Sequence, residues 1–375
     1  MAAILEAYTD PVCTRRVWMV CPTYFSASQI FIDAGLHQSL RAIPEDDEGI
    51  NIDYLGEQMR DLDRVLSTND DSVRPFDSGC DHWRHLLISR KQIKSCHSKR
   101  KFYAQVIYVV PNFSNPSGRT LSLRRREGLV QLARRHDALI IADDVYDFLQ
   151  WSMLAEESRR PRIALLPRLV DIDRQLGAGP GSDGFGHAIS NGTFSKIVAP
   201  GCRTGWVEAN AKFINGLVTL GSRVSGGAPS QLSATFISHM LHTGALQRHI
   251  SNVLQPAYKS RHNAILHAMR GHLKPLGVSM FNPGSEDIVG GYFVWLSLPE
   301  PLEADLVKRH CWEQQNLIVA PGTLFNVRGD ESVVDLKRNL RLCFAWEDED
   351  VLQEGIRRLA VTITALLNKE VSQLR

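Results

Sequence analysis

The chain carries almost no surplus charge: 43 Lys and Arg stand against 41 Asp and Glu, a net +2 over 375 residues. So small an excess is no electrostatic footprint for nucleic acid or for an anionic membrane surface. No run approaches the ~18 uninterrupted apolar residues that span a bilayer. The first ten residues lack a basic segment followed by a long apolar stretch, so no secretory leader is read there. Cysteine is sparse and scattered: the seven are Cys13, Cys21, Cys80, Cys96, Cys202, Cys311 and Cys343, with no C-x-x-C pair. That excludes a disulfide-stapled scaffold, implies free thiols, and points to a cytoplasmic protein. A G-x-x-x-x-G-K-[ST] loop is also missing, which argues against a P-loop nucleotidase.

The apolar fraction, 43%, is enough for a sizeable core, and the length suggests two domains at ~100–200 residues each. Val17-Trp18-Met19-Val20-Cys21 reads as a buried strand stopped by Pro22. Helical spacing follows over 26–34, with Gly35 as its stop, and again over 53–66. Residues 69–101 break the pattern and read as an insertion or loop with a basic run from Arg90 onward. Beyond it come an apolar strand over 105–110, a turn over 111–118, and a helix capped by Ser122 and ending near Arg135. A second strand over 138–142 then ends in Asp143-Asp144. This is a βαβ unit, and it predicts a parallel sheet with helices on its faces. Ligands of such sheets gather at the carboxyl ends of the strands, where Asn115, Asp143 and Tyr146 fall. From about residue 244 helices alternate with apolar strands over 292–296, 317–320 and 340–344, before a final helix from about 348. The fold class is therefore α/β: a mostly parallel, helix-flanked sheet in a large domain (1–243), then a smaller α+β domain (244–375).

Three signals are set aside. Gly179 to Gly184 spells G-x-G-x-x-G, but a strand is expected after it rather than the helix a dinucleotide needs, so it reads as a surface loop. Cys80, His82, His85, Cys96 and His97 have zinc-ligand chemistry without any zinc-finger spacing. The basic run lacks the interleaved aromatics that stack on bases, so it reads as a solvated loop.

Three other segments fit together. Asn115-Pro116-Ser117-Gly118 follows the first strand of the βαβ unit, and Asp143-Asp144-Val145-Tyr146 ends the second. Ser190-Asn191-Gly192-Thr193-Phe194-Ser195-Lys196 then precedes Ala199-Pro200-Gly201-Cys202-Arg203-Thr204-Gly205-Trp206. Each is a common turn or cap when alone. In this order and spacing the chain resembles the fold-type I, pyridoxal-phosphate-dependent aminotransferases (class I/II). Within them it looks nearest to the branch of aminoadipate, kynurenine and aromatic amino-acid aminotransferases.

The resemblance implies pyridoxal 5'-phosphate as cofactor, an amino acid and a 2-oxo acid as small-molecule partners, and a homodimer where the N-terminal part is complete. Lys196 would hold the cofactor as an imine and then shuttle a proton. Its amine is nucleophilic only when deprotonated, so a depressed pKa is required. Asp143 would pair with the pyridine nitrogen, and Tyr146 and Asn115 would bond the ring's phenolic oxygen. Tyr24 would stack on the ring. Arg203 would clamp the phosphate, with Thr193 and Ser195 adding hydroxyl donors. Arg341, in Asn339-Leu340-Arg341-Leu342, matches the arginine that grips the substrate α-carboxylate, which a guanidinium fork does bidentately.

The family has a longer N-terminal portion that supplies an arm and a phosphate-gripping glycine loop. Nothing before Tyr24 matches it. The expectation is an aminotransferase core truncated at its front. Two alternatives stand beside it: a lyase that uses the same cofactor for carbon–sulfur β-elimination, and a truncated non-catalytic homologue.

Overall fold

The computed structural model describes residues 1–67, 93–94, 100–153, 166–179, 182–227, 230–280 and 288–373. Most of the expected insertion, and all five Cys and His residues weighed as zinc ligands, lie outside them.

Seven strands form the main sheet: β1 (Arg16–Cys21), β2 (Leu40–Asp46), β3 (Gly49–Ile50), β4 (Gln105–Val109), β5 (Ala138–Asp143), β7 (Ala188–Thr193) and β8 (Gly205–Glu208). Between β5 and β7 in the chain lies β6 (Gln150–Ser152), which is not part of this sheet. The order across it is β3-β2-β1-β4-β5-β7-β8. All pairs from β2 through β7 are parallel, while β3 and β8 close the two edges in antiparallel fashion. Strands β4 and β5 are buried at every position, as the middle of a sheet covered on both faces requires. Separate apolar clusters occupy the two faces. One gathers Val17, Met19, Tyr108 and Ile141, the other Trp18, Ile107, Ile140 and Leu129. Period-two alternation along the strands explains that split.

The helix Leu123–Arg135 joins β4 to β5, and the Ser122 hydroxyl accepts the Arg125 N–H at 3.2 Å, capping it as expected. Arg126 on this helix is fully buried. It donates to the carbonyls of Leu121 at 3.0 Å, Pro167 at 3.1 Å and Pro111 at 3.2 Å, and to Asn112 Oδ1. It thereby fixes the loop between β4 and Asn115.

Ahead of β1, where the sequence shows no element, the helix Ala2–Tyr8 buries Ile4, Leu5, Ala7 and Tyr8. Tyr8 stacks on Phe213 with ring centroids 3.8 Å apart. Lys94 Nζ donates to the carbonyls of Leu5 and Glu6 at 3.3 Å and Thr9 at 2.8 Å, satisfying the helix end with a cation. At seven residues and without a capping side chain, the helix leaves little periodic signal. Part of the basic run is also anchored: Lys101 pairs with Asp137 and Asp183, each at 2.6 Å.

The smaller C-terminal domain carries β9 (Ser279–Met280), β10 (Ile288–Gly290), β11 (Phe293–Ser297), β12 (Ala320–Pro321) and β13 (Asn339–Cys343). Four of them form an antiparallel sheet of order β12-β13-β11-β9, while β10 pairs with β6 and ties the two parts together. The helices Gln255–His272, Ala304–Gln315 and Glu349–Gln373 accompany it. The strand expected over 317–320 shrinks to Ala320–Pro321, which face Arg341 and Leu340. Ile318 is instead 79% exposed, while Val319 beside it is buried. Among the described residues no helix is long and apolar enough to cross a membrane.

Candidate active site

The site forms where β4, β5 and β7 end. Asp143 is the last residue of β5 and is buried. Its Oδ2 accepts the Tyr108 hydroxyl at 2.8 Å, and its Oδ1 accepts Asn191 Nδ2 at 2.7 Å. Asn191 in turn accepts from the Met1 α-amino group at 3.3 Å through Oδ1. Burial pushes the Asp143 carboxyl above the usual carboxylate range. The hydrogen bonds from Asn191 and Tyr108, the Met1 ammonium and Lys196 pull it back. Three residues on, Tyr146 is 2% exposed and lies edge-on to Tyr292 at 5.4 Å and Phe293 at 6.4 Å. Burial, then the nearby Asp143, keeps its phenol protonated far above the ordinary range.

Lys196 stands in the turn after β7, half-buried, its Nζ 5.2 Å from the centre of the Tyr292 ring. Tyr292 also donates its hydroxyl to the Lys196 carbonyl at 3.1 Å, which anchors the backbone of this turn. Burial depresses the proton affinity of the lysine amine and Arg341 adds to the effect, while Cys343 and Asp143 oppose it. In the same turn the Ser195 N–H donates to Thr193 Oγ1 at 3.1 Å. Arg203 is exposed, with φ +48°, and donates to the Pro200 carbonyl at 3.1 Å. It stands at the end of this loop rather than inside the buried group.

Asn115 is buried in the turn after β4, and its Oδ1 accepts Arg341 Nη1 at 2.9 Å. The Arg341 guanidinium carbon lies 4.1 Å from the centre of the Phe293 ring and 4.8 Å from that of Phe325. Such ring faces hold a cation in place without neutralising it. Burial lowers the proton affinity of Arg341, and its Nε is buried with no hydrogen-bond partner. An unpaired buried donor is costly, and an arriving carboxylate relieves the cost. Tyr24 immediately precedes the helix Phe25–Asp33 and acts electrostatically on Tyr108, Tyr146 and Arg341. The fold thus brings Tyr24, Asn115, Asp143, Tyr146, Lys196 and Arg341 together.

Sequence reasoning missed several members. Tyr108 and Asn191 hold Asp143, and Tyr292 supports Lys196. Cys343 lies two residues past Arg341, on the same face of β13, and acts electrostatically on Lys196, Tyr146 and Arg341. Glu45, near the end of β2, accepts the Ser117 hydroxyl at 3.0 Å and pairs with Arg119 Nε at 3.2 Å. Its burial, only partly offset by Arg119 and Ser117, pushes the carboxyl up to about 8. It braces the turn that presents Asn115. Period-two spacing back from Val110 and on from Arg341 would have flagged Tyr108 and Cys343. Nothing local marks Glu45 or Tyr292.

Residues 89–359 match the family model for aminotransferase class I and II. The uncharacterized protein YER152C of Saccharomyces cerevisiae is 35% identical over 92% of this chain and 71% of its own length. Aromatic-amino-acid aminotransferase 1 of Thermococcus litoralis is 29% identical over 93% of this chain and 66% of its own. A crystal structure of Pyrococcus horikoshii kynurenine aminotransferase, in complex with PMP, superposes with a TM-score of 0.73 at 26% identity. That superposition covers 98% of this chain and 72% of the other.

The chain belongs to the aminotransferase class I and II family. It is a pyridoxal-phosphate-dependent enzyme of the transaminating kind. The residues present fit that cofactor: a lysine amine with lowered proton affinity, a buried carboxylate, a buried phenol, and a guanidinium with an unpaired N–H.

Proposed function

We propose that this chain moves an amino group from an L-amino acid to a 2-oxo acid, with Lys196 holding the cofactor and carrying the proton. The observation that carries this reading is the position of Lys196. Its amine is partly desolvated, and Asp143 and Arg341 act on it with opposite sign. A lysine so placed gives up its proton more readily than one in water, and both bond formation and proton transfer need the deprotonated amine. When bound, pyridoxal 5'-phosphate supplies the electron sink for carbanion chemistry. Around it Asp143 would pair with the ring nitrogen, and Tyr146 and Asn115 would bond the phenolic oxygen. Tyr24 would stack on the ring. Thr193, Ser195 and Arg203 would hold the phosphate. Arg341 takes the α-carboxylate of the substrate, using the Nε–H left unpaired in the structure. The rings of Phe293 and Phe325 beside it suit donors with an apolar or aromatic side chain.

We propose further that the protein works in the cytoplasm, in amino-acid biosynthesis, with its large domain over 1–243 and its small one over 244–375. It pairs with a second copy of itself. Helices between residues 211 and 253 expose Val218 (57%), Val224 (71%), Leu232 (68%) and Phe236 (64%), more apolar surface than a lone subunit usually leaves open.

The test is turnover of the purified, cofactor-loaded chain with aromatic donors and 2-oxoglutarate. Formation of the matching 2-oxo acid only when the acceptor is present, abolished in Lys196→Ala, supports transamination. Pyruvate released from cysteine conjugates without an acceptor would turn the reading to β-elimination.

A further inference from the structure

Three neighbouring strands meet at one carboxylate. Tyr108 comes from β4, Asp143 from β5 and Asn191 from β7, and β5 lies between the other two. Each oxygen of Asp143 receives one protein donor, at 2.8 Å from the tyrosine hydroxyl and 2.7 Å from the asparagine amide. Tyr108 is only 1% exposed, and its ring is wedged edge-on against Phe31 at 5.9 Å. Its hydroxyl is therefore withheld from solvent.

We propose that Tyr108 and Asn191 are positioning residues that hold Asp143 ionised and aimed at the cofactor's pyridine nitrogen. The proposal rests on the assignment of Asp143 to that nitrogen, and it deepens that assignment by naming what keeps the carboxylate competent.

The argument is one of solvation. A carboxylate taken from water into a sheet interior loses the donors that stabilise its charge, and it tends to protonate. Once neutral, it no longer stabilises a proton on the ring nitrogen, and the electron sink weakens. Two fixed donors replace the lost water without reorganising as charge moves. One on each oxygen also sets the orientation of the carboxylate plane. The other charged or titratable groups facing Asp143 are the Met1 ammonium and Lys196, which favour its charge, and Tyr146, whose phenol is buried nearby. Neither cation lies within hydrogen-bonding distance of the carboxylate among the described contacts. The tyrosine and the asparagine carry that part alone.

The experiment uses the full chain, Tyr108→Phe, Asn191→Ala, and Asp143→Asn as reference. Tyr108→Phe keeps the ring that packs on Phe31, and Asn191→Ala probes the same carboxylate from another strand. In the cofactor-free protein with 13Cγ-labelled aspartate, the Asp143 signal is identified by its loss in Asp143→Asn. Its titration midpoint is expected to move to higher pH in both other variants. Unmoved midpoints overturn the proposal, whether or not cofactor binds. With cofactor labelled by 15N in the ring, the wild type is expected to show a protonated nitrogen. Asp143→Asn should show an unprotonated one, with the two donor variants between them and binding cofactor about tenfold more weakly, as loss of a hydrogen bond to a charge predicts. A shifted Asp143 midpoint with an unshifted 15N resonance overturns the role toward the cofactor. A 15N resonance unchanged in Asp143→Asn instead overturns the assignment of Asp143 itself.

Discussion

Arg341 and Asn115 are 226 residues apart in the chain and meet at 2.9 Å, guanidinium Nη1 to amide Oδ1. One belongs to β13 of the C-terminal sheet and the other to the turn after β4 of the main sheet. The bond places the group proposed to take the substrate carboxylate against one proposed to face the cofactor. It leaves Arg341 Nε unpaired.

That geometry predicts how Arg341→Lys behaves. Lysine keeps the charge and loses the fork, so a bidentate carboxylate contact is replaced by a single point charge. The kcat/KM for donor and acceptor is expected to fall about 30- to 100-fold, ~2–3 kcal/mol, carried mostly by KM. Steady-state kinetics on both half-reactions decide it. A lowered kcat with an unaltered KM would remove Arg341 from carboxylate binding.

Acid sensitivity is expected to trace to His262. It packs at 5.7 Å against Trp151 and 4.9 Å against Phe344, and its Nδ1 has no hydrogen-bond partner. Burial first, then Arg270, lowers its pKa to about 4. In the unfolded chain an imidazole titrates near ~6.5, so the unfolded state binds the proton first as the pH falls. Stability is therefore unaffected above about 6.5 and drops by roughly 3 kcal/mol between there and about 4. His262→Phe keeps an aromatic ring at this position and removes the titration. Denaturant unfolding of both proteins at several pH values is expected to show a flatter acid limb in the variant, and identical limbs would refute the assignment.

Self-association is expected to depend on Phe236, 64% exposed on the helix Gln231–His242. Phe236→Glu puts a charge where an apolar interface would form, and burying an unpaired charge is prohibitive. Light scattering should give twice the chain mass for the wild type and the single mass for the variant at micromolar concentration. Equal masses for the two would place the interface elsewhere.

The main sheet was legible because β1, β4 and β5 are short, mostly apolar runs, polar only at Arg16, Gln105 and Asp143 and stopped by Pro22, Pro111 and Asp143-Asp144, the pattern expected of strands covered on both faces. The positions of Lys196, Asp143 and Asn115 were legible because Asp143 ends β5 while Lys196 and Asn115 lie in the turns that follow β7 and β4, at motif spacing. What stayed hidden depends on contacts distant in sequence. Tyr108 reads as one more apolar strand position until Asp143 is placed beside it. Glu45 looks like a surface charge until the turn at Ser117 closes over it. The helix Ala2–Tyr8 owes its existence to Phe213 and Lys94, more than eighty residues away. At 317–320 the hydrophobic signal held only in part: Val319 is buried, but Ile318 is 79% exposed and pairing with β13 begins only at Ala320.

The central claim is that Lys196 is the residue that bonds the cofactor. Borohydride reduction of the chain incubated with pyridoxal 5'-phosphate, followed by peptide mass spectrometry, tests it directly. The account predicts one reduced adduct, on the peptide containing Lys196, with absorbance that shifts on adding an amino-acid donor and no adduct in Lys196→Ala. An adduct at equal yield on Lys101, Lys212 or another lysine, with Lys196 unmodified, would contradict it.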